Sequence, residues 1–207
     1  MLVKTMSRRT SIVIILTGLA VFLNLFFYFV SKNAVQNDLS RSTEKSVLAA
    51  KQSENYGLPV RIKIPRIGVD AAIESVGLTT NGAMEVPNGQ NNAAWFSLGP
   101  RPGDIGSAVI DGHYGIWKNG KETVFNDLDK LRQGDEISIE EDNGVTVSFV
   151  VRETQIYDSK ADASKIFTSV DGKSHLNLIT CEGTWNQVSK TYPRRLIVFA
   201  DRMIANL

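Results

Sequence analysis

After residue 58, hydrophobic and polar residues alternate in short runs with a period of two. Turn-forming Gly, Pro, Asn and Asp residues separate these runs, a spacing typical of β-strands joined by tight turns. The predicted strands lie at 61–65, 69–76, 84–86, 106–112, 136–140, 145–154, 176–181 and 195–200. Short helical segments are predicted at 125–131 and 162–167. About eight short strands with few helices predict a mainly β fold, either a closed or nearly closed barrel or a sandwich.

The N-terminal part has a different pattern, because residues 12–30 contain no charged side chain. As a helix, these residues would be about 28 Å long, close to the roughly 30 Å hydrocarbon core of a membrane. Lys4, Arg8 and Arg9 precede the span, and this bias predicts that residues 1–11 are cytoplasmic. The alternative is a cleaved signal peptide, but its apolar stretch is typically only about 7–15 residues long. We therefore predict an uncleaved single-pass transmembrane anchor in the cell membrane.

Residues 31–58 are polar and contain too few large apolar side chains to form a core. This composition predicts a stalk that lifts the domain formed by residues 59–207 away from the external face of the cell membrane. Three of the 23 basic residues precede the membrane span, which leaves 20 basic against 22 acidic residues, a net charge of −2. A phosphate-binding face needs clustered Lys and Arg, so binding to nucleic acid is excluded.

Cys181 is the only cysteine and closes the predicted strand 176–181. Outside the cytoplasm, a single thiol has no intramolecular disulfide partner. It can be a small buried hydrophobe at a strand end. Its position before the turn-like residues 182–184 also suits a nucleophile that a rigid strand holds toward a groove.

Histidine and arginine side chains could act with this thiol. His113 ends a different predicted strand and can lie beside Cys181 across a sheet, whereas His175 lies about 20 Å away along the same extended chain. Arg194 and Arg195 are neighbours, so on a strand they face opposite sides and only one can face the same groove as Cys181. A fixed guanidinium there would stabilise the oxyanion of acyl transfer.

The order and framing of these segments resemble the sortase family. The resemblance rests on Thr180-Cys181 at a strand end, the strand 195–200, the run 106–113 that ends on His113, and the stretch 124–137. It covers roughly residues 60–202 and is closest in pattern to the class F or class E-like sortases. The resemblance implies an eight-stranded β-barrel cysteine transpeptidase (a thiol peptidase and acyltransferase), anchored outside the membrane. No acidic cluster in the sequence is clear enough to indicate a calcium site, and no cofactor or metal is predicted.

Site roles follow from the same resemblance. Cys181 is implied as the nucleophile, His113 as the general acid and base, and Arg195 as the stabiliser of the oxyanion or substrate carbonyl. Thr180 and Arg194 are assigned to substrate binding, Thr180 through its hydroxyl or backbone, and Arg194 is also the alternative to Arg195. The implied reaction cleaves a Leu-Pro-x-Thr-Gly-like sorting motif after Thr and forms a thioester. An amine from a peptidoglycan cross-bridge or a pilin lysine then resolves it, so the implied partners are surface proteins or pilins that carry sorting signals.

Two departures from the family pattern affect the site. Glu182 follows the cysteine where relatives often have Gly, and a carboxylate directed at the sulfur would raise the thiol pKa. As an adjacent residue, Glu182 is expected to point away. Relatives often place the arginine a residue or two differently, and the register with strand 196–198 favours Arg195 over Arg194. The alternative function is a membrane-tethered binding or structural β-domain in which Cys181 is inert.

Overall fold

The structure, a computed structural model, describes residues 57–118 and 120–203, together with Tyr28. The predicted cytoplasmic segment, the anchor apart from Tyr28, and the stalk up to residue 56 lie outside the described residues. No helix within the described part of the chain has the length and apolar character needed to cross a membrane. The described residues from 57 onward belong to one compact unit, residues 51–207.

In the described residues, eight strands close into one barrel in the order β1-β2-β3-β4-β7-β8-β6-β5. The strands are β1 (Pro59–Ile64), β2 (Val69–Val76), β3 (Ala93–Phe96), β4 (Gly106–Gly112), β5 (Glu136–Glu141), β6 (Thr146–Asp158), β7 (Ser174–Glu182) and β8 (Arg194–Arg202). The pairs β2–β3 and β4–β7 are parallel, and the other neighbours are antiparallel. The helical elements are α1 (Ser164–Phe167) and two 3-10 turns (Pro65–Ile67 and Leu128–Lys130). The predicted eight-stranded barrel is confirmed, and the sandwich is excluded.

Alternate residues of each strand fill the barrel interior. Leu176 and Leu178 of β7 pack in the core with Ala108 and Ile110 of β4, and all four are fully buried. Successive side chains of a strand point to opposite faces, so the residues between them lie on the outer surface of the barrel. This parity determines which side chains near the strand ends face outward.

A second apolar cluster covers part of that outer surface. Ile166 of α1 packs against Val109, Ile197 and Phe199, which lie on the outer faces of β4 and β8. Asn177 of β7, itself buried, donates from Nδ2 to the carbonyl oxygen of Ile166 at 2.6 Å. The short helix is therefore fixed against the three strands β4, β7 and β8.

The elements differ from the predicted ones at three places. Residues 84–86 do not form a strand, and Met84 makes only an isolated bridge with Leu78. Strand β3 was not predicted because its residues Ala93, Ala94 and Trp95 are buried in succession, which leaves no alternation to detect. The predicted helix at 125–131 is reduced to the 3-10 turn Leu128–Lys130.

Packing of Phe125 against the end of β4 gives a stability prediction. A Cβ atom at Gly112 would overlap the ring of Phe125, which is fully buried. We expect Gly112→Ala to lower the free energy of unfolding by about 1–3 kcal/mol through overpacking, measured by urea denaturation of the full-length protein.

Gly77→Ala is the matched control, because its added Cβ would lie 3.9 Å from the Glu85 carboxylate in ordinary contact. This variant should change the free energy of unfolding by less than about 1 kcal/mol. Equal stabilities of the two variants would contradict the described packing.

Candidate active site

Three adjacent strands bring His113, Cys181 and Arg195 to the same end of the barrel. In the parallel pair β4–β7, Asp111 is the register partner of Ile179, and His113 comes directly after Gly112, the last residue of β4. In the antiparallel pair β7–β8, Cys181 is the direct register partner of Arg195. The three predicted residues therefore form one row at this end of the sheet, with His113 just past the end of its strand.

Thr180 determines the face on which this row lies. Its side chain is fully buried inside the barrel, and its hydroxyl donates to the carbonyl oxygen of Gly112 at 2.6 Å. Since neighbouring residues of a strand alternate, Cys181 of β7 faces outward, as does Asp111 of β4. The inward placement corrects the expectation that the Thr180 hydroxyl binds substrate, because this group ties β7 to β4 instead. A substrate contact through the Thr180 backbone stays a prediction.

The thiol of Cys181 is partly buried and forms no disulfide. Burial is the largest influence and raises its pKa, the positive charge of Arg195 lowers it, and the negative charge of Asp111 raises it further. Because burial outweighs the guanidinium, the resting sulfur is held mainly as the thiol. Formation of the thiolate then depends on the charges that surround the sulfur.

The two neighbouring arginines have different partners. Arg195 donates from Nη1 to the carbonyl oxygens of Arg194 and Tyr192, at 2.9 and 3.2 Å, and is partly buried beside Cys181. Arg194 is exposed and pairs with Glu182, with Nε–Oε2 at 2.5 Å and Nη2–Oε1 at 3.2 Å. This ion pair commits the Glu182 carboxylate, the departure from the family pattern, to Arg194. The catalytic role of Arg195 and a substrate-binding role of Arg194 stay predictions.

His113 is partly buried and held on two sides. Its Nε2 lies 2.8 Å from the carbonyl oxygen of Pro87, and its ring lies 4.9 Å from that of Trp117 between centroids. His175 lies at the opposite end of β7, where Nδ1 is 2.7 Å from Asp201 and Nε2 is 3.0 Å from Asp171. The structure thus brings His113, and not His175, to the end of the barrel where Cys181 lies.

Asp111 belongs to the site, although the sequence interpretation did not single it out. It lies on the outer face of β4, two residues before His113. Burial raises the pKa of its carboxyl to about 7, against the opposing effects of the Arg195 charge and a hydrogen bond from the Gly112 backbone. The sequence signal that could have indicated Asp111 was an acid inside the otherwise uncharged run 107–112.

Among the described residues, no group of three or more His, Cys, Asp or Glu side chains is placed to hold a metal ion.

Tyr192, in the loop between β7 and β8, connects that loop to the segment that follows β4. No pattern in the sequence indicated this contact. Its ring makes edge contacts with Tyr114 at 5.5 Å and Trp185 at 5.1 Å between centroids. Gly115, with φ of 91°, lets the phenol approach, because a Cβ there would lie 2.9 Å from the Tyr192 hydroxyl. Burial is the main cause that raises the pKa of Tyr192, and the charge of Cys181 adds to it.

A partly exposed thiol beside a guanidinium, with an imidazole just past the end of the neighbouring strand, is an arrangement suited to cysteine-dependent acyl transfer. Residues 62–203 match the family model of the sortase domain. The chain belongs to the sortase family of cysteine transpeptidases.

Solved sortase structures share the fold. Sortase C1 from Streptococcus agalactiae has a TM-score of 0.55 and 22% identity, over 71% of this chain and 68% of that chain. A lid mutant of sortase A from Corynebacterium diphtheriae has a TM-score of 0.54 and 22% identity, over 73% of each chain. The Clostridium perfringens sortase D5 transpeptidase has a TM-score of 0.53 and 23% identity, over 77% of this chain and 89% of that chain. No curated protein matches the sequence significantly. The class F or class E-like assignment stays a prediction.

The Asp111 carboxylate gives a testable effect on the thiol. With a pKa of about 7, Asp111 is ionised in the alkaline range where the thiol titrates, and its charge raises the thiol pKa. Asp111→Asn removes that charge, so the thiol pKa should fall and alkylation of Cys181 by iodoacetamide should reach its half-maximal rate at a lower pH. The measurement is unambiguous because Cys181 is the only cysteine.

Glu136→Gln is the control for this measurement, since Glu136 is exposed at the start of β5. The midpoint of its alkylation profile should match that of the wild type. A midpoint that stays in place or rises in Asp111→Asn would show that the carboxylate does not act on the sulfur.

Proposed function

We propose that this protein is a membrane-anchored sortase that cleaves a Leu-Pro-x-Thr-Gly-like sorting motif and transfers the acyl group to a cell-wall or pilin amine. The observation that carries the proposal is the row at the end of three adjacent strands, in which Cys181 is the register partner of Arg195 and His113 directly follows β4. Membership of the family supports transpeptidation. The anchor rests on the sequence, and the motif and the acceptor rest on the resemblance to the family.

In the acylation step, the thiolate of Cys181 attacks the carbonyl carbon of the scissile Thr–Gly bond. Arg195, whose guanidinium lies on the same face, donates hydrogen bonds to the oxygen on which negative charge develops. His113, as the imidazolium, gives a proton to the departing glycine amine when the C–N bond breaks. The product is a thioester between the threonine carbonyl and Cys181.

Deacylation uses the same groups in reverse. An acceptor amine attacks the thioester carbonyl, and neutral His113 takes up the proton that the amine loses. The carbon–sulfur bond breaks, the new amide leaves, and Cys181 returns as the thiolate. Arg195 again stabilises the oxyanion, so one arrangement of charges serves both steps.

Apolar side chains beside the row suit an apolar residue of the sorting motif. Ile179 lies two residues before Cys181 on the same outer face, and it packs with Ile197, the corresponding residue beyond Arg195. Partly buried Phe96 and Tyr157 pack against the same cluster. A partly exposed apolar floor next to a nucleophile favours a peptide with a hydrophobic residue upstream of the scissile bond.

Membrane anchoring would place this site where the proposed partners occur. The uncharged residues 12–30 and the basic residues before them support an N-terminus in the cytoplasm and a catalytic domain outside the cell membrane. Surface proteins or pilins with sorting signals would then be the acyl donors, and peptidoglycan or pilin amines the acceptors. The alternative of an inert β-domain is not supported, because Cys181 is partly exposed and the chain is a sortase.

The proposed reaction is tested by trapping its intermediate. We expect one or more Leu-Pro-type pentapeptides from a library to add an acyl mass to Cys181 in the full-length protein, and hydroxylamine to release it. Cys181→Ala should show no added mass. If no peptide acylates the wild type and hydroxylamine releases nothing, the transpeptidase activity proposed here is wrong.

Alanine substitutions distinguish the roles of Arg194 and Arg195. Arg195→Ala should lower kcat by about 100- to 1000-fold, because the developing oxyanion loses its charged donor. Arg194→Ala should keep most of the turnover, since its partner in the structure is Glu182. Both variants are compared by the rate of peptide cleavage in the presence of an amine, and the reverse result would show that the register of β8 is off by one residue.

A further inference from the structure

Glu74 of β2 has a carboxylate that accepts hydrogen bonds from a single short turn, residues 87–92. Its Oε2 accepts from the backbone nitrogen of Asn88 at 3.0 Å and from Asn88 Nδ2 at 3.1 Å. Its Oε1 accepts from Asn92 Nδ2 at 2.7 Å and from the backbone nitrogen of Gly89 at 3.4 Å. These bonds, the one from the Asn88 backbone above all, lower the pKa of Glu74, so the carboxylate is ionised at neutral pH.

The 87–92 turn also determines the position of the Pro87 carbonyl, the group that contacts His113. Pro87 is buried, and its oxygen lies 2.8 Å from His113 Nε2. The same turn is fixed to the segment that follows the histidine, because the backbone nitrogen of Val124 donates to the Gln90 carbonyl at 3.0 Å. That segment in turn holds the His113 backbone, since Thr123 Oγ1 donates to the His113 carbonyl at 2.8 Å.

We propose that Glu74 is a positioning residue for His113, acting through the 87–92 turn. A carbonyl oxygen only accepts, so its contact with Nε2 selects the neutral tautomer that carries the proton on Nε2. Nδ1 is then the ring nitrogen that exchanges a proton with the thiol and the leaving amine. Trp117 against the ring restrains rotation that would swap the two nitrogens. The expected effect of Glu74 on turnover rests on the proposed function, whereas its expected effect on the tautomer of His113 does not.

The test replaces one carboxylate oxygen by a donor. In Glu74→Gln, the NH2 group faces N–H donors of the turn, so the turn and the Pro87 carbonyl shift. We expect kcat for peptide cleavage to fall about 10- to 100-fold with KM changed by less than about threefold, because substrate contacts are unaltered. We also expect the imidazole ¹⁵N spectrum at about pH 8.5, where an ordinary imidazole is neutral, to change for His113 from the Nε2–H tautomer to a mixture.

Controls are available within the same part of the chain. Glu85→Gln alters a different acid, which is exposed and precedes the turn; its Oε2 accepts from the Gly77 backbone nitrogen at 3.0 Å. This variant should leave kcat and the ¹⁵N spectrum unchanged. The chain has two histidines, so His175→Gln assigns the spectrum. Asn92→Ala removes the shortest bond to Glu74 and should move the His113 signals in the same direction by a smaller amount.

An unchanged His113 ¹⁵N pattern in both Glu74→Gln and Asn92→Ala would overturn the proposal, whatever the turnover. Reduced activity with the wild-type tautomer would likewise overturn it and show a purely structural role for Glu74. If Glu74→Gln fails to fold by circular dichroism, Asn92→Ala decides the matter alone. The spectrum needs no turnover, so it separates failure of this proposal from failure of the proposed transpeptidation.

Discussion

The parallel pairing of β4 with β7 is the constraint on which the rest of the site depends. It pairs Asp111 with Ile179 and so leads His113, which directly follows β4, to the end of the barrel where Cys181 lies; the antiparallel pairing of β7 with β8 places Arg195 directly beside Cys181. A hydrogen-bonded ladder inside a closed barrel permits little sliding, because a shift by one residue would turn the core side chains of β7 outward. The Thr180–Gly112 bond locks the two strands one residue before the row begins. The candidate residues Cys181 and Arg195 therefore lie on strands whose relative position is fixed by the core.

Strand parity also separates charges that are adjacent in sequence. Cys181 and Arg195 share the outer face, while their neighbours Glu182 and Arg194 form an ion pair of their own. The sulfur therefore responds to Arg195 and Asp111, whose opposite charges shift its pKa in opposite directions. A partly buried site strengthens both effects, because fewer waters screen them. The reactivity of the thiol is a balance among neighbours rather than a property of the cysteine alone.

Loops complete what the strands leave open. The 87–92 turn contacts the ring of His113, and Tyr192 joins the loops on either side of the row through Tyr114 and Trp185. The barrel sets the nucleophile and the guanidinium, whereas the loops orient the imidazole and shape access to the sulfur. This division agrees with a family in which one barrel serves sortases of several classes, among them the C1, A and D5 enzymes to which this chain is similar.

The sequence by itself determined a mainly β fold, either a barrel or a sandwich, and made Cys181, His113 and the arginine pair Arg194 and Arg195 candidates, whereas the eight-stranded barrel followed from the family resemblance. Period-two alternation is a local property of the chain, and the order of the motifs is legible without coordinates. Strand β3 was not predicted, because burial on both faces removes the alternation of apolar and polar residues. The inward direction of the Thr180 hydroxyl became evident only from its hydrogen bond to the Gly112 carbonyl. Asp111, Tyr192 and Glu74 also required the tertiary structure. Their effects depend on burial and on contacts between segments far apart in the chain, and residue types and spacing do not encode which surfaces meet when the barrel closes.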